Sequence, residues 1–270
     1  MSSFKRLIGI SLVSFGFDPR RTLSSLRFVP GYIVDLLTWC WRSSAEQRKY
    51  FPLRILPALS EKYTQSGTAS GHYFHQDLWA ARLIHSHAPS RHVDVGSRID
   101  GFVAHLLTFR QVEVLDFRAL VSKVEGLSFR QANLMSEVPL AIEPSPSVSC
   151  LHALEHFGLG RYGDPLKPDG WRTGLQRLAE LVSPGGLLYL GVPTGKPAVE
   201  FNAQRIFHPQ YIIDEAARFG LSLRALAYVD DEGDYYELPS PVTLDVLTVL
   251  AAMHYGCGLF LFEKCPALES

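Results

Sequence analysis

His92-Val93-Asp94-Val95-Gly96-Ser97-Arg98-Ile99-Asp100-Gly101 is the stretch whose reading decides the fold. Val93 and Val95 are strand formers, and Gly96 ends the run where the backbone needs freedom. After Gly101, Phe102/Leu106 and Val103/Leu107 are spaced four apart, as on the buried face of a helix. A strand that feeds a helix through such a loop aims free N–H groups and a positive helix end at whatever sits there.

Outward from this unit the pattern repeats. Strands are expected at Val112–Leu115 (ending in Asp116), Leu127–Ala132 (ending at Asn133), Val148–Leu151, Leu187–Val192, Leu221–Val229 and Gly258–Phe262. Helices are expected from about His75 to Ala88, over Trp171–Val182 with apolar residues at 171, 175, 178 and 182, and over Pro209–Phe219. Ser183-Pro184-Gly185-Gly186 is a helix stop and turn. The alternation predicts an α/β protein with a doubly wound, mainly parallel seven-stranded sheet. Residues 1–60 are expected to form a basic, aromatic N-terminal helical extension, and residues 61–270 the α/β domain.

The 270 residues are 47% hydrophobic and 20% charged, which suits a globular chain and argues against disorder. A formal net charge of −1 gives no general attraction to nucleic acid. Residues 1–54 nevertheless hold nine Lys or Arg against three acids, so +6 there and −7 elsewhere. Phe28, Tyr32, Trp39 and Trp41 are interleaved with Arg20, Arg21, Arg27 and Arg42. The simpler reading is a helix pair packed on the main domain with snorkelling arginines. The sharper one is peripheral contact of residues 1–54 with anionic membrane or a lipid-linked phosphate. Cysteines 40, 150, 257 and 265 form no Cys-x-x-Cys pair, which fits a reducing, cytoplasmic setting. Lys5 and Arg6 precede an apolar stretch, Leu7 to Phe17, but Ser, Gly and Asp18 interrupt it and no small-residue cleavage site follows. No window reaches the ~18 uninterrupted apolar residues of a spanning helix. The protein is expected in the cytoplasm, at most peripheral at the inner face of the membrane.

In open α/β sheets ligands sit beyond the carboxyl ends of the strands, so the first residues after each strand carry the chemistry. Asp116 lies 20 residues after Gly96, the interval at which an acidic strand-end residue accepts hydrogen bonds from a ribose diol. Gly96 to Gly101 departs from the Gly-x-Gly-x-x-Gly dinucleotide fingerprint, since Arg98 replaces the second glycine. A nucleoside carrying an amino acid, as in S-adenosylmethionine, is better accommodated, with Arg98 or the loop amides facing its carboxylate. Asn133 is placed to bond an adenine amino group or, equally, to hold a polar turn. His72 and His75 are expected as exposed loop histidines. Glu200 to His208 is rich in side chains able to bind a sugar or phosphate, and Asp230 to Asp234 reads as a solvated turn.

Asp94-Val95-Gly96, Asp116, Gln131-Ala132-Asn133-Leu134, Leu151-His152-Ala153-Leu154-Glu155-His156 and Pro184-Gly185-Gly186 come in the order of class I S-adenosylmethionine-dependent methyltransferases. Ser70 to Asp77, His92 to Gly101 and Gly158 to Asp164 more closely resemble a methyltransferase-like family known as domain of unknown function 268. Its bacterial members are associated with surface-polysaccharide biosynthesis. The resemblance spans about residues 60–265 and implies the Rossmann-like methyltransferase fold, S-adenosyl-L-methionine as cofactor and a small-molecule or glycan acceptor. It implies cofactor contacts from Asp94, Gly96, Ser97, Arg98, Gly101, Asp116, Asn133 and Leu151. His152 would abut the cofactor's methionine end, and Glu155 or His156 would face the acceptor as base. The alternative is a methyltransferase-like binding or scaffold protein without catalysis, and a third, less favoured reading is a metal-dependent hydrolase built on His152, Glu155 and His156. His152-x-x-Glu155-His156 also spells the inverted zinc-protease motif, but it follows a strand and is broken by Gly158 and Gly160, so no metal is expected there.

Overall fold

The computed structural model describes residues 15–16, 18–59, 62, 64–138 and 140–266, so Lys5, Arg6, most of the Leu7–Phe17 stretch and Pro139 lie outside the described residues. The chain divides into two compact units between Thr68 and Ala69. The first carries α1 (Pro19–Leu26), α2 (Val29–Arg42) and α3 (Ala45–Tyr50). Pro30 opens α2, where its missing N–H costs nothing. Ser44 and Gln47 form a reciprocal capping box at α3, with bonds of 3.1 and 2.8 Å. Neither α2 nor α3 buries any of its residues. No described helix is long and apolar enough to cross a membrane.

In the second unit α4 (His72–His87) precedes β1 (Val93–Val95), a single π-helical turn (Ile99–Val103) and α5 (Ala104–Leu107). Then follow β2 (Val112–Asp116), β3 (Leu127–Gln131), β4 (Ser145–Leu151), α6 (Gly170–Leu181) and β5 (Val182–Thr194). A hairpin, β6 (Ala198–Glu200) and β7 (Gln204–Ile206), leads to α7 (Pro209–Arg218), β8 (Leu221–Val229), β9 (Tyr235–Glu237), α8 (Leu244–Ala252) and β10 (Gly256–Lys264). The main sheet has the order β3-β2-β1-β4-β5-β10-β8-β9. β1 to β5 are parallel to one another, and β10 is inserted antiparallel between β5 and β8. Strand order reverses between β1 and β4, which opens a crevice above their carboxyl ends.

Period-2 alternation assigns side chains to the two faces. In β5, Leu188 and Leu190 join one core with Trp171, Leu175 and Leu178 of α6 and Ile212 and Ala216 of α7. Tyr189, between them, joins the other with Trp79 and Ile84 of α4 and with Phe102 and Leu106. The seven strands read from the sequence all form, and an eighth, β9, pairs with β8 across the Asp230–Asp234 turn. Asp230 Oδ1 accepts from the Glu232 and Asp234 amides at 3.0 and 2.9 Å, so the acidic run makes a hairpin turn. The alternation of strand and helix is incomplete: the connections from β2 to β3 and from β3 to β4 carry no helix. Pro144 ends the latter in extended backbone just before β4. The Ser183–Gly186 turn sits inside β5 as an irregularity, where pairing jumps from Ser145↔Val182 to Ser147↔Leu187.

Candidate active site

The loop after β1 is held from beneath by a buried polar chain. Asp94 is fully buried and accepts from the Ser97 amide at 3.1 Å, the Ser97 hydroxyl at 2.6 Å and the Ser149 hydroxyl at 2.6 Å. Ser97 Oγ in turn accepts from the Leu151 amide at 3.0 Å. Because Ser149 spends its only hydrogen on Asp94, its oxygen accepts from His92 Nε2 at 3.0 Å, and His92 Nδ1 accepts from Ser147 Oγ at 2.7 Å. Burial pushes Asp94 up to about 6 and His92 down to about 3. Asp94 and Leu151 therefore fix the loop and do not line the cavities above it. Gly96 has φ +69°, and a Cβ there would stand 3.0 Å from that of Ala153, so the loop passes hard against the end of β4.

Above the loop lie two adjoining cavities open to solvent that share Gly96, Asp116, Arg118, His152, His156 and Tyr162. The smaller is an apolar slot walled by Leu115, Ala132, Leu134, Met135 and Phe157, with Asp116 and Asn133 at its edge. Asp116 accepts from Arg118 three times, from the amide at 2.8 Å, Nε at 3.1 Å and Nη2 at 2.8 Å. The Arg118 guanidinium lies 4.2 Å over the Tyr162 ring. Asn133 Oδ1 accepts from the Met135 amide at 2.9 Å, so its carbonyl holds a turn and its amide nitrogen remains for a ligand. Arg98 lines only the larger cavity, paired with Asp100 at 3.2 and 3.1 Å and stacked 4.9 Å over Tyr73. Gly101 packs against Asp77, whose Oδ2 would lie 2.7 Å from an added Cβ.

His152 turns the chain off β4 with φ +49°. Its Nδ1 donates to Glu155 Oε1 at 2.7 Å, while its own Nε2 and Glu155 Oε2 are buried without a partner. Burial opposes charge on His152, but the Cys257 sulfur and the Glu155 carboxylate facing it carry its pKa well above the usual imidazole value. Glu155 is 1% exposed and turned to His152, so it does not meet the cavities. His156 does line both; its Nδ1 donates to the Ala203 carbonyl at 2.7 Å, leaving the Nε2 lone pair available. Burial lowers its pKa. Leu154–His156 is one 3₁₀ turn, so the helix that an inverted zinc-protease motif needs is not there. Gly158 ends it at φ +77°, where a Cβ would stand 1.9 Å from the Lys167 carbonyl.

His72 departs from its expected place in an exposed loop: it is the first residue of α4, partly buried, with its ring 5.2 Å from that of His152 at 5°. Burial and the neighbouring His152 bring its pKa down to about 4. His75 stacks on Tyr235. From the polar stretch after β5, Arg205 is buried and donates to the carbonyls of Glu155, Phe157 and Pro168 at 3.1, 2.7 and 3.0 Å, bracing the His156 turn. Gln204 accepts from the Tyr255 hydroxyl at 3.0 Å. Sequence reasoning did not single out Arg118, Tyr73, Tyr162 or Cys257. Arg118 alone had a local signal, an arginine two residues past a strand-end Asp.

Parallel strands that reverse order over a glycine loop, with an acidic residue ending the second strand and β10 inserted antiparallel, give a doubly wound, Rossmann-like fold. Residues 107–213 match the model of the family described as Caenorhabditis protein of unknown function, DUF268; of the stretches quoted above for that family, Gly158 to Asp164 lies within the match. Among solved structures the chain is similar to the N-methyltransferase NodS from Bradyrhizobium japonicum, in complex with S-adenosyl-L-homocysteine. The identity is 14% and the TM-score 0.50, over 72% of this chain and 88% of that one. It is also similar to a 1,6-didemethyltoxoflavin-N1-methyltransferase from Burkholderia thailandensis (17% identity, TM-score 0.48, 70% and 78% covered). A third is a putative sarcosine dimethylglycine methyltransferase from Galdieria sulphuraria (12%, 0.49, 71% and 85%). No curated protein matches.

Proposed function

We propose that the protein is an S-adenosylmethionine-dependent methyltransferase that acts on a hydroxyl of a sugar or surface-glycan intermediate. The observation that carries this is the apolar slot at the switch point, bounded by Gly96 and ending on Asp116. The residues present fit the cofactor. A purine suits a flat space walled by Leu115, Ala132, Leu134 and Met135. A carboxylate offers about four lone-pair directions, so Asp116 keeps one for a ribose hydroxyl beside its three bonds to Arg118. When bound, the group supplies an electrophilic methyl carbon. The chain's tasks are to align the acceptor, exclude water and take a proton. His156 is the base: its Nδ1–H is committed to Ala203, burial keeps the ring neutral, and Nε2 is left to accept the acceptor hydroxyl's proton. Arg205 holds that turn from behind through the Glu155 and Phe157 carbonyls. NodS, whose structure holds the demethylated cofactor, supports the assignment of the slot.

One observation favours the second reading, a binding or scaffold protein. The Asp116–Arg118–Tyr162 stack crosses the boundary of the two cavities and occupies most of the ribose partner. Calorimetric titration with S-adenosylmethionine separates the two. The enzyme reading expects binding by the native protein, loss in Asp116→Ala, and equal or tighter binding in Arg118→Ala. No heat at millimolar cofactor in the native protein or in Arg118→Ala sinks it, whereas binding by Arg118→Ala alone assigns the native chain to the scaffold reading.

The N-terminal unit adds a membrane contact to this proposal: Ile33, Leu37 and Trp41 of α2 are exposed, and Arg42 follows in its last turn. Binding to anionic vesicles should weaken with salt and be lost without residues 1–54; equal binding by that truncated protein contradicts it.

A further inference from the structure

Behind the crevice, three elements far apart in sequence bring together one imidazole from the start of α4, one from the end of β4 and one thiol from β10. The donor atoms of His72, His152 and Cys257 all lie within 4.8 Å of one another. We propose that they bind a zinc ion, at a site that shares His152 with the His152/Glu155/His156 motif but takes its other ligands from α4 and β10.

Four observations carry it. His152 Nε2 is buried and has no partner, in a side chain only 3% exposed. A buried nitrogen left unpaired costs free energy that a metal bond would recover. The other ring nitrogen donates to Glu155 Oε1 at 2.7 Å, the carboxylate–histidine arrangement that orients an imidazole toward a metal and fixes which nitrogen is free. The His72 ring is anchored by the Tyr255 carbonyl, 3.1 Å from Nε2. Finally, Glu155 Oε2 and Thr194 Oγ1 are also buried without a partner, and Thr194 pairs with Gly256, the residue before Cys257. Two imidazoles and a thiol are a donor set for zinc rather than for magnesium or calcium, which take oxygen ligands.

Around a tetrahedral ion with bonds of about 2.0–2.3 Å, donors stand about 3.5 Å apart, so small side-chain rotations close the cluster. Binding releases the Cys257 thiol proton to solvent. Three protein ligands leave a fourth position for a water or an acceptor oxygen, and His152 borders both cavities. The ion would also tie α4 to β4 and β10. None of this depends on methyl transfer.

The test is metal content and spectroscopy on the full chain, purified without chelator and dialysed against zinc or cobalt. The expected results are about one zinc per chain and a near-ultraviolet thiolate-to-cobalt charge-transfer band that Cys257→Ser abolishes. His72→Ala, a substitution at a helix start, should weaken zinc binding at least tenfold with an unchanged circular dichroism spectrum. Zinc below about a tenth per chain with no cobalt band, or a band that survives Cys257→Ser, overturns the proposal.

Discussion

The two sides of the crevice satisfy their polar groups in opposite ways. On the β1–β2–β3 side the buried or cavity-edge acceptors each bond a near neighbour in sequence or the adjacent strand: Asp94 bonds Ser97 and Ser149, Asp116 bonds Arg118, and Asn133 Oδ1 bonds Met135. On the β4–β5–β10 side, His152 Nε2, Glu155 Oε2 and Thr194 Oγ1 are buried and unpaired. Buried polar groups in folded proteins are almost always bonded, so a concentration of exceptions marks where something else completes the structure. The first side is a finished cradle; the second is a site that a ligand finishes.

The comparison can be broken at its most reactive point first. His156→Ala should lower methyl transfer to nucleotide-sugar acceptors about 10²- to 10⁴-fold while cofactor affinity stays within about twofold. A parallel loss of cofactor affinity would place His156 in the cradle instead. Gly96→Val puts a branched side chain where even a Cβ meets Ala153 at 3.0 Å, in a backbone conformation valine resists. Calorimetry should show cofactor binding about 100-fold weaker. Asp116→Asn keeps one acceptor but loses the charge, and about a tenfold weaker affinity is expected.

The smallest effect probes the buried chain under the loop. His92, its pKa held near 3 by burial, contributes stability that is whole above about pH 6.5 and is lost as the pH falls from there toward 3. Asp94, raised to about 6, acts in the opposite sense, favouring the folded state as it takes up its proton. The stability difference between the native protein and His92→Asn isolates the histidine. It should fall by at most about 1.4 kcal/mol per pH unit between pH 6.5 and 5 in urea melts. A pH-independent difference would mean that His92 takes up its proton in the fold as readily as in the unfolded chain.

What the sequence made legible follows the same division. The cradle is built from short-range features, a valine-rich strand, a glycine and a strand-end Asp 20 residues on, and these carry position as well as identity. Seven strands and the order of the motifs could be read in the same way. β9 and the β6–β7 hairpin could not, since each strand is three residues long and too short for a periodic signal. The far side was opaque because its members come together only in three dimensions. Cys257 reaches His152 through a strand inserted antiparallel between β5 and β8. His72 reads like any loop histidine until α4 sets its ring on that of His152. Asp94 and Leu151 were legible as belonging to the site region, but only the packing shows that they support the loop from below.

A crystal structure of the protein soaked with S-adenosylhomocysteine tests the central claim most directly. The adenine should lie between Leu115 and Leu134, with the ribose on Asp116 and the sulfur toward His152 and His156. Density for the ligand anywhere else, or a slot still bridged by Arg118 and Tyr162 at saturating ligand, would contradict it.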